Sequence, residues 1–236
     1  MFSWLKNGIM SNNPDLALKL FDTIAVSTGN NNNNIIEQKL INDILKECKS
    51  RQEILNKVIE ICGVPKTPKQ RYIYAKAYLW SNKKYRKKAI YYTELYLSNQ
   101  LYDDIYLHRF RYYDQPLEER KNEHISDLYL DLAKVYEKMY IFDKAILNSE
   151  IAIELVPYCP LAYRTKVSCL IKDNKIDEAI NYLKDVKKSK YYTKSDKYAP
   201  DTLWFMNTID ELLNNCKIKK ENNYIYKPRR KEINYE

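Results

Sequence analysis

Glycine is scarce in this chain. It accounts for only 3 of the 236 residues, where ordinary composition would supply roughly 17. Tight hairpin turns, β-bulges and phosphate-binding loops depend on glycine, because it adopts backbone conformations that other residues avoid. Gly8, Gly29 and Gly63 also stand far apart. The sequence therefore excludes Rossmann and P-loop motifs and leaves little material for hairpin-rich sheets.

Cysteine is limited to five residues, and the closest two, Cys159 and Cys169, are ten positions apart. No pair has the CxxC spacing of a zinc site, and an odd, scattered set argues against a disulfide framework. We therefore expect a reduced chain in the cytoplasm. No apolar run approaches the roughly 18 residues that a membrane span requires, so we expect no membrane partner.

Basic residues are in excess, with 40 Lys+Arg against 31 Asp+Glu and a net charge of +9. Lys, Asn, Ile and Tyr, which A/T-rich codons encode, make up 100 of the 236 residues, so genome composition accounts for much of that excess. Its distribution is more informative, because residues 63–100 contain nine basic side chains and one acid. A codon bias would spread the charge more evenly, so this segment needs its own explanation.

Helix start signals recur along the chain. Examples are Asn13-Pro14, the capping-box pattern from Ser50 to Glu53, and Thr67-Pro68. Between such signals, apolar residues recur three and four positions apart, which is typical of amphipathic helices, and alternating strand patterns are not evident. The sequence predicts an all-α protein of ten or eleven antiparallel helices.

Two consecutive 34-residue segments, the first at residues 126–159, share one pattern of small and apolar residues. Ala145 of the first segment corresponds to Ala179 of the second, and a third copy lies upstream around Ala77 and Ala89. Small residues at these positions let the two helices of a hairpin cross closely. The pattern resembles the tetratricopeptide repeat (TPR). The resemblance implies an antiparallel helix-hairpin array, a TPR-like α-solenoid.

The resemblance covers residues 67–198, with a 22-residue insertion at 101–122 between the first and second copies. Residues 1–66 do not fit the repeat frame and are predicted to form a helical N-terminal cap. Residues 199–236 are predicted to contain a capping helix followed by a basic tail. We expect two adjacent aromatic residues, Trp204 and Phe205, to dock that helix on the last helix pair.

In TPR arrays, the first helix of each hairpin lines a groove that receives a peptide or a partner helix. Carried over to this chain, the resemblance implies seven groove-binding residues: Arg71, Tyr74, Tyr78, Leu130, Lys134, Arg164 and Ser168. The groove positions do not supply the lysine and asparagine clamp that some family members use for a terminal carboxylate, which disfavours a general chaperone tail as the partner. The tyrosines are interpreted as peptide anchors or as packing within the chain.

The turn of the first copy departs from the other two. The second helix of the later copies begins with acids, at Asp143 and at Asp177-Glu178, which the helix dipole favours. In that place the first copy has five cations: Lys83, Lys84, Arg86, Lys87 and Lys88. Two interpretations stay open, an anion-binding turn whose interleaved tyrosines stack on bases, and a solvated charged turn.

No catalytic constellation is evident. His108 and His124 lie in or beside the insertion near several acids, but their spacing matches no metal-ligand pattern. We predict no enzyme activity, no metal and no cofactor.

The sequence thus predicts a non-enzymatic protein-protein interaction module or adaptor that binds a peptide segment or helix of another protein. The first alternative is a regulator that binds nucleic acid or another polyanion through residues 63–100. The others are a peptide-sensing regulator, which the lack of a helix-turn-helix signature in residues 1–66 weakens, and a scaffold that self-assembles, for example as a homodimer.

Overall fold

The computed structural model describes residues 13–25, 35–98, 117–193 and 200–228. Over these residues the chain forms eleven α-helices, one 3₁₀ turn at Lys83–Tyr85 and no strand, which confirms the all-α prediction. In chain order the helices are Pro14–Ala25 (α1), Ile35–Glu47 (α2), Arg51–Cys62 (α3), Pro68–Leu79 (α4), Arg86–Ser98 (α5), Leu117–Lys138 (α6), Phe142–Leu155 (α7), Pro160–Lys172 (α8), Ile176–Lys188 (α9), Lys190–Thr193 (α10) and Pro200–Glu221 (α11).

Helices α3 and α4 begin at the predicted caps. The Ser50 hydroxyl accepts a hydrogen bond from the backbone N–H of Glu53 at 3.3 Å, which satisfies a donor that the first helical turn leaves open. Thr67 and Gln70 form a complete capping box, in which each side chain bonds to the backbone of the other. Pro68 follows directly, at a position where the missing N–H is not needed.

The chain divides into two compact units, residues 1–106 and 107–236. In the first unit, α3 and α4 pack against α1 and against each other, and α5 packs on α4. The side-chain amide of the buried Gln70 donates to the carbonyl of Cys62 at 2.9 Å, which joins the start of α4 to the end of α3. Fully buried aliphatic residues fill this core: Leu16, Leu20, Ile41, Leu55, Ile61 and Ile73.

In the second unit, α6 and α7 form an antiparallel hairpin. The Ser126 hydroxyl, in the first half of α6, donates to the carbonyl of Ala152 near the end of α7 at 2.9 Å. At the other end of the hairpin, the Lys144 ammonium lies 5.3 Å from the centre of the Tyr136 ring. Helix α8 packs against both members of this hairpin. It runs antiparallel to α7 and therefore parallel to α6.

Helix α11 packs against α8 and α9. Asp177 pairs with Lys220 at 2.5 Å and Lys187 pairs with Asp210 at 2.7 Å, so α9 and α11 are antiparallel. Because α8 and α9 are joined by a short turn and are also antiparallel, α8 and α11 are parallel. Helices α6 and α8 are the first members of successive pairs. They and helix α11 therefore all run in the same direction.

The two hairpin turns of the second unit have the same backbone geometry 34 residues apart. Tyr140 and Asn174 both adopt a left-handed conformation, with φ of 61° and 59°. In each turn the N–H of the following residue donates to the carbonyl five positions before it, at 3.0 Å after Tyr140 and 2.8 Å after Asn174. These bonds close the last turn of the preceding helix. The corresponding turn of the first unit is instead the 3₁₀ turn Lys83–Tyr85.

The small residues at the predicted helix crossings are buried, with an exposed fraction of 1% or less at Ala77, Ala89, Ala133, Ala145 and Ala179. Their burial permits the close approach of the paired helices on which the repeat pattern depends.

The prediction that both aromatic residues dock α11 is wrong for one of them. Phe205 is fully buried and packs edge-on against Tyr163 at 5.3 Å, but Trp204 is 49% exposed. Adjacent residues on a helix point about 100° apart. Phe205 shares the buried stripe of Ile209 and Leu213, so its neighbour points outward.

None of the helices in the described ranges combines the length and the apolar character needed to cross a bilayer.

Candidate binding surfaces

A surface formed by α8 and α11 brings exposed apolar side chains beside a salt bridge. The Arg164 guanidinium donates to the Glu211 carboxylate at 2.7 Å, and both side chains stay partly exposed. Leu161 precedes Arg164 by three residues and is 42% exposed, while Trp204 precedes Glu211 by seven. These spacings place each apolar residue on the side of its helix that carries the salt bridge. We call Leu161, Arg164, Trp204 and Glu211 the first-helix surface.

The predicted groove residue Ser168 lies at the contact between α6 and α8. Its hydroxyl donates to the Glu137 carboxylate at 2.6 Å, and the Lys172 ammonium bonds to the same carboxylate at 2.9 Å. Burial lowers the pKa of Lys172, but the hydrogen bond and the charge of Glu137 outweigh it, so the pKa is raised. This cluster fixes the spacing of the two parallel helices.

The two predicted groove residues of α6 have different environments. Leu130 is buried and packs with Ala152 and Ala162, so in this structure it belongs to the core. Lys134 stays partly exposed and pairs with Asp131 at 3.5 Å within the same helix. Such an exposed pair contributes little to stability, so Lys134 is accessible to a ligand at little energetic cost.

The predicted groove residues of α4 join a cluster of tyrosines. Arg71 donates to the carbonyl of Pro65 at 3.4 Å. The Tyr74 ring packs edge-on against Tyr92 at 4.9 Å between centroids, and Tyr78 stacks on Tyr92 at 5.3 Å with 10° between ring planes. Burial, reinforced by Cys62 and the neighbouring tyrosines, raises the pKa of Tyr74 to about 12. The hydroxyl of Tyr74 is thus unsuited to ionise near neutral pH.

The five predicted anion-binding cations form one turn. Lys83 and Lys84 belong to the 3₁₀ turn, and the others begin α5. The Lys88 ammonium lies 5.4 Å from the centre of the Tyr78 ring and 5.9 Å from that of Tyr85, and Lys84 lies 4.9 Å from Tyr85. We call Lys83, Lys84, Arg86, Lys87 and Lys88 the basic turn.

The basic turn is anchored to α3 by a glutamine that the sequence does not single out. The Gln52 side-chain carbonyl accepts a hydrogen bond from the backbone N–H of Asn82 at 2.9 Å, and its amide group donates to the Ser81 hydroxyl at 3.3 Å. One residue earlier, the Arg51 guanidinium lies 4.4 Å from the centre of the Trp80 ring. These contacts hold the residues that lead into the turn.

The described residues include no group of three or more His, Cys, Asp or Glu side chains arranged to hold a metal ion. His124 is buried in α6, and His108 lies outside the described residues. Burial raises the pKa of the Cys62 and Cys169 thiols to about 12, so neither is a reactive thiolate at neutral pH.

Sequence reasoning missed Glu137, Glu211 and Gln52, and it assigned Trp204 to the core. The seven-residue interval between Trp204 and Glu211 was a usable signal, because residues seven apart share one side of a helix. No local pattern points to Gln52, whose partner is thirty positions away.

Comparisons with protein-family models, with characterised proteins and with solved structures found no match to this chain.

Proposed function

We propose that this chain is a non-enzymatic protein-interaction module, an adaptor that holds a peptide segment or helix of another protein on the first-helix surface. The proposal includes a TPR-like arrangement of the helix hairpins. It also includes a cytoplasmic location, for which the odd number and wide spacing of the cysteines are the support.

Two observations support the TPR-like arrangement. The left-handed turn residues Tyr140 and Asn174 and the hydrogen bonds around them recur at an interval of 34 residues, the repeat length of that family. The packing order also fits, because α8 packs on α6 and α7 as α11 packs on α8 and α9. Each added helix pair buries the face that the preceding one would leave open.

The exposure of Trp204 carries the functional proposal. Tryptophan is enriched among residues that dominate binding energy, because a large ring buries much area with little loss of side-chain entropy. Here the ring is half exposed on the surface that also carries the exposed Leu161 and the Arg164–Glu211 salt bridge. Apolar anchors beside a polar pair match the usual anatomy of an interface, with a core that excludes water and a polar rim.

The test compares, in one binding assay, variants in which Trp204 or an exposed leucine is replaced. Peptides selected on the parent protein from a displayed random library are measured against Trp204→Glu, Leu161→Glu and Leu147→Glu. Leu147 is the matched control, since it is 55% exposed but lies on α7, outside the first-helix surface. We expect the first two variants to weaken binding by at least about tenfold, and Leu147→Glu to leave it unchanged.

Circular dichroism and thermal unfolding check that all three variants fold. Equal weakening by Leu147→Glu, or unchanged binding by Trp204→Glu, contradicts the proposal. The mass in solution is measured over a range of concentrations. A mass that rises with concentration in the parent but not in Trp204→Glu would show that this surface pairs with a second copy of the chain, which also contradicts a peptide ligand.

A further inference from the structure

Three lysines of the basic turn, Lys84, Lys87 and Lys88, have no acidic partners in the part of the chain that the structure describes. No described carboxylate lies within 4.0 Å of the ammonium groups of Lys84, Lys87 or Lys88. Lysines elsewhere in both units do form ion pairs with acidic side chains: Lys57, Lys69, Lys134, Lys166, Lys172, Lys175, Lys187, Lys188 and Lys220. The positive charge of Lys84, Lys87 and Lys88 is therefore available to an external anion.

An exposed aromatic ring accompanies this charge. Tyr91 is 59% exposed, and it follows Lys87 by four residues and Lys88 by three, so the three side chains share one side of α5. Its ring packs edge-on against Tyr92 at 5.0 Å. The edge contact fixes the Tyr91 ring while leaving much of it in solvent.

The support beneath the turn is built from packed rings and hydrogen bonds. Tyr92 stacks on Tyr78, and Tyr78 in turn lies 5.7 Å from Tyr85 within the turn. Gln52 holds the backbone at Asn82 from the other side. Because the turn is fixed in advance, an anion that binds there meets a lower ordering cost.

We infer that the basic turn and Tyr91 form a binding surface for single-stranded nucleic acid. Its phosphates meet Lys84, Lys87 and Lys88, and a base stacks on the Tyr91 ring. The exposed ring favours a single strand over a duplex, whose bases are already stacked. It also favours nucleic acid over a phosphopeptide, which has no flat base to cover it. Glu94, the one acid in residues 63–98, lies a turn beyond Tyr91 and marks the end of the cationic stretch.

The test measures binding of a fluorescent oligo(dT) and oligo(U) of about 16 nucleotides, the upper size of a compact single-strand site. We expect the parent to bind at about 50 mM salt and to weaken steeply as salt rises. The triple variant Lys84→Gln, Lys87→Gln, Lys88→Gln is expected to reduce the slope of log K against log salt by about 2, at about 0.7 for each lysine. Tyr91→Ala is expected to weaken binding by at least about fivefold, and Tyr91→Phe, which keeps the ring, to retain it.

The matched control removes three exposed lysines from another part of the same unit: Lys39→Gln, Lys46→Gln and Lys49→Gln. It lowers the net charge from +9 to +6, as the triple variant does, so it separates a local surface from general attraction. Equal loss of binding in the control overturns the inference, as does a parent that does not bind at low salt. Stronger binding to duplex DNA, to a phosphopeptide or to vesicles containing phosphatidylserine overturns it as well. These outcomes do not depend on the first-helix surface, which lies in the other unit.

Discussion

The turn between α8 and α9 and the basic turn between α4 and α5 occupy the same place in their helix hairpins. They differ in whether the chain supplies partners for their charged side chains. In the turn between α8 and α9, both aspartates form ion pairs: Asp173 pairs with Lys175 at 2.6 Å, and Asp177 pairs with Lys220 at 2.5 Å. The Asn174 side chain also accepts a hydrogen bond from the backbone N–H of Tyr226, from the segment that follows α11. We call this turn between α8 and α9 the acidic turn. The chain itself supplies partners for Asp173, Asp177 and Asn174.

The basic turn is open by comparison. Its cations stand at the N-terminal end of α5, where the helix dipole disfavours positive charge, and three of its lysines have no acidic partner among the described residues. Two of these lysines, Lys84 and Lys88, instead lie over aromatic rings. The charges of the acidic turn are therefore explained by their contribution to stability, whereas those of the basic turn are not. A local arrangement that works against stability is where a functional constraint is expected.

Charge reversal in the acidic turn is the change with the largest expected effect on stability. Asp177→Lys puts a cation at the N-terminus of α9 and removes the partner of Lys220. We expect a loss of about 1–2 kcal/mol in the free energy of unfolding, measured by urea denaturation.

Asp177→Asn is the control for that reversal, because it removes the charge without introducing the opposite one. It is expected to lose less than Asp177→Lys. Equal stability of the parent and Asp177→Lys would show that the charge at this turn has no structural role.

The left-handed residue of the acidic turn gives a second test. Asn174 has a φ of 59°, which alanine adopts only with strain, while asparagine and glycine tolerate it. Asn174→Ala is expected to lower the free energy of unfolding by about 1 kcal/mol, whereas Asn174→Gly is expected to stay near the parent. The two variants lose the same contact with Tyr226, so their difference isolates the backbone. Equal losses would assign the role of Asn174 to its side chain instead.

Much of the fold was predictable because its signals are local. The caps at Ser50 and Thr67 act within three residues, and the buried alanines follow from the 34-residue spacing between Ala145 and Ala179. The basic turn was predictable for the same reason, since its five cations are nearly continuous in the sequence. The lack of an acidic partner for Lys84, Lys87 and Lys88 among the described residues was not predictable, because it depends on which residues the fold brings near.

The α8–α11 surface was less predictable, because it depends on which of two adjacent aromatic residues enters the core. Trp204 and Phe205 are both large aromatic residues, so the sequence alone does not distinguish them. Only the register of α11 on α8 and α9 determines which of the two is buried. The salt bridge between Arg164 and Glu211 joins residues 47 positions apart, so no local sequence pattern predicts it. Sequence reasoning therefore identified the helices of this surface but not the contacts that define it.

The smallest expected effect distinguishes the two turns most directly. Lys87 is the second residue of α5 and is exposed, and unlike Lys84 and Lys88 it lies over no aromatic ring of the described residues. Lys87→Glu places an anion where the helix dipole favours one, so we expect the protein to gain about 0.3–1 kcal/mol at low salt. The reciprocal change at the acidic turn, Glu178→Lys, is expected to lose a similar amount. Both effects should shrink toward zero at about 1 M salt, where charges more than about 3 Å apart are screened.

The sign of the Lys87→Glu effect decides what the basic turn is for. If this variant is more stable than the parent and also loses oligonucleotide binding, the lysine opposes folding and serves binding, as the open turn implies. A loss of stability in Lys87→Glu would mean that the cation is held by favourable contacts within the chain. The two turns would then differ only in the sign of charges that both stabilise the fold.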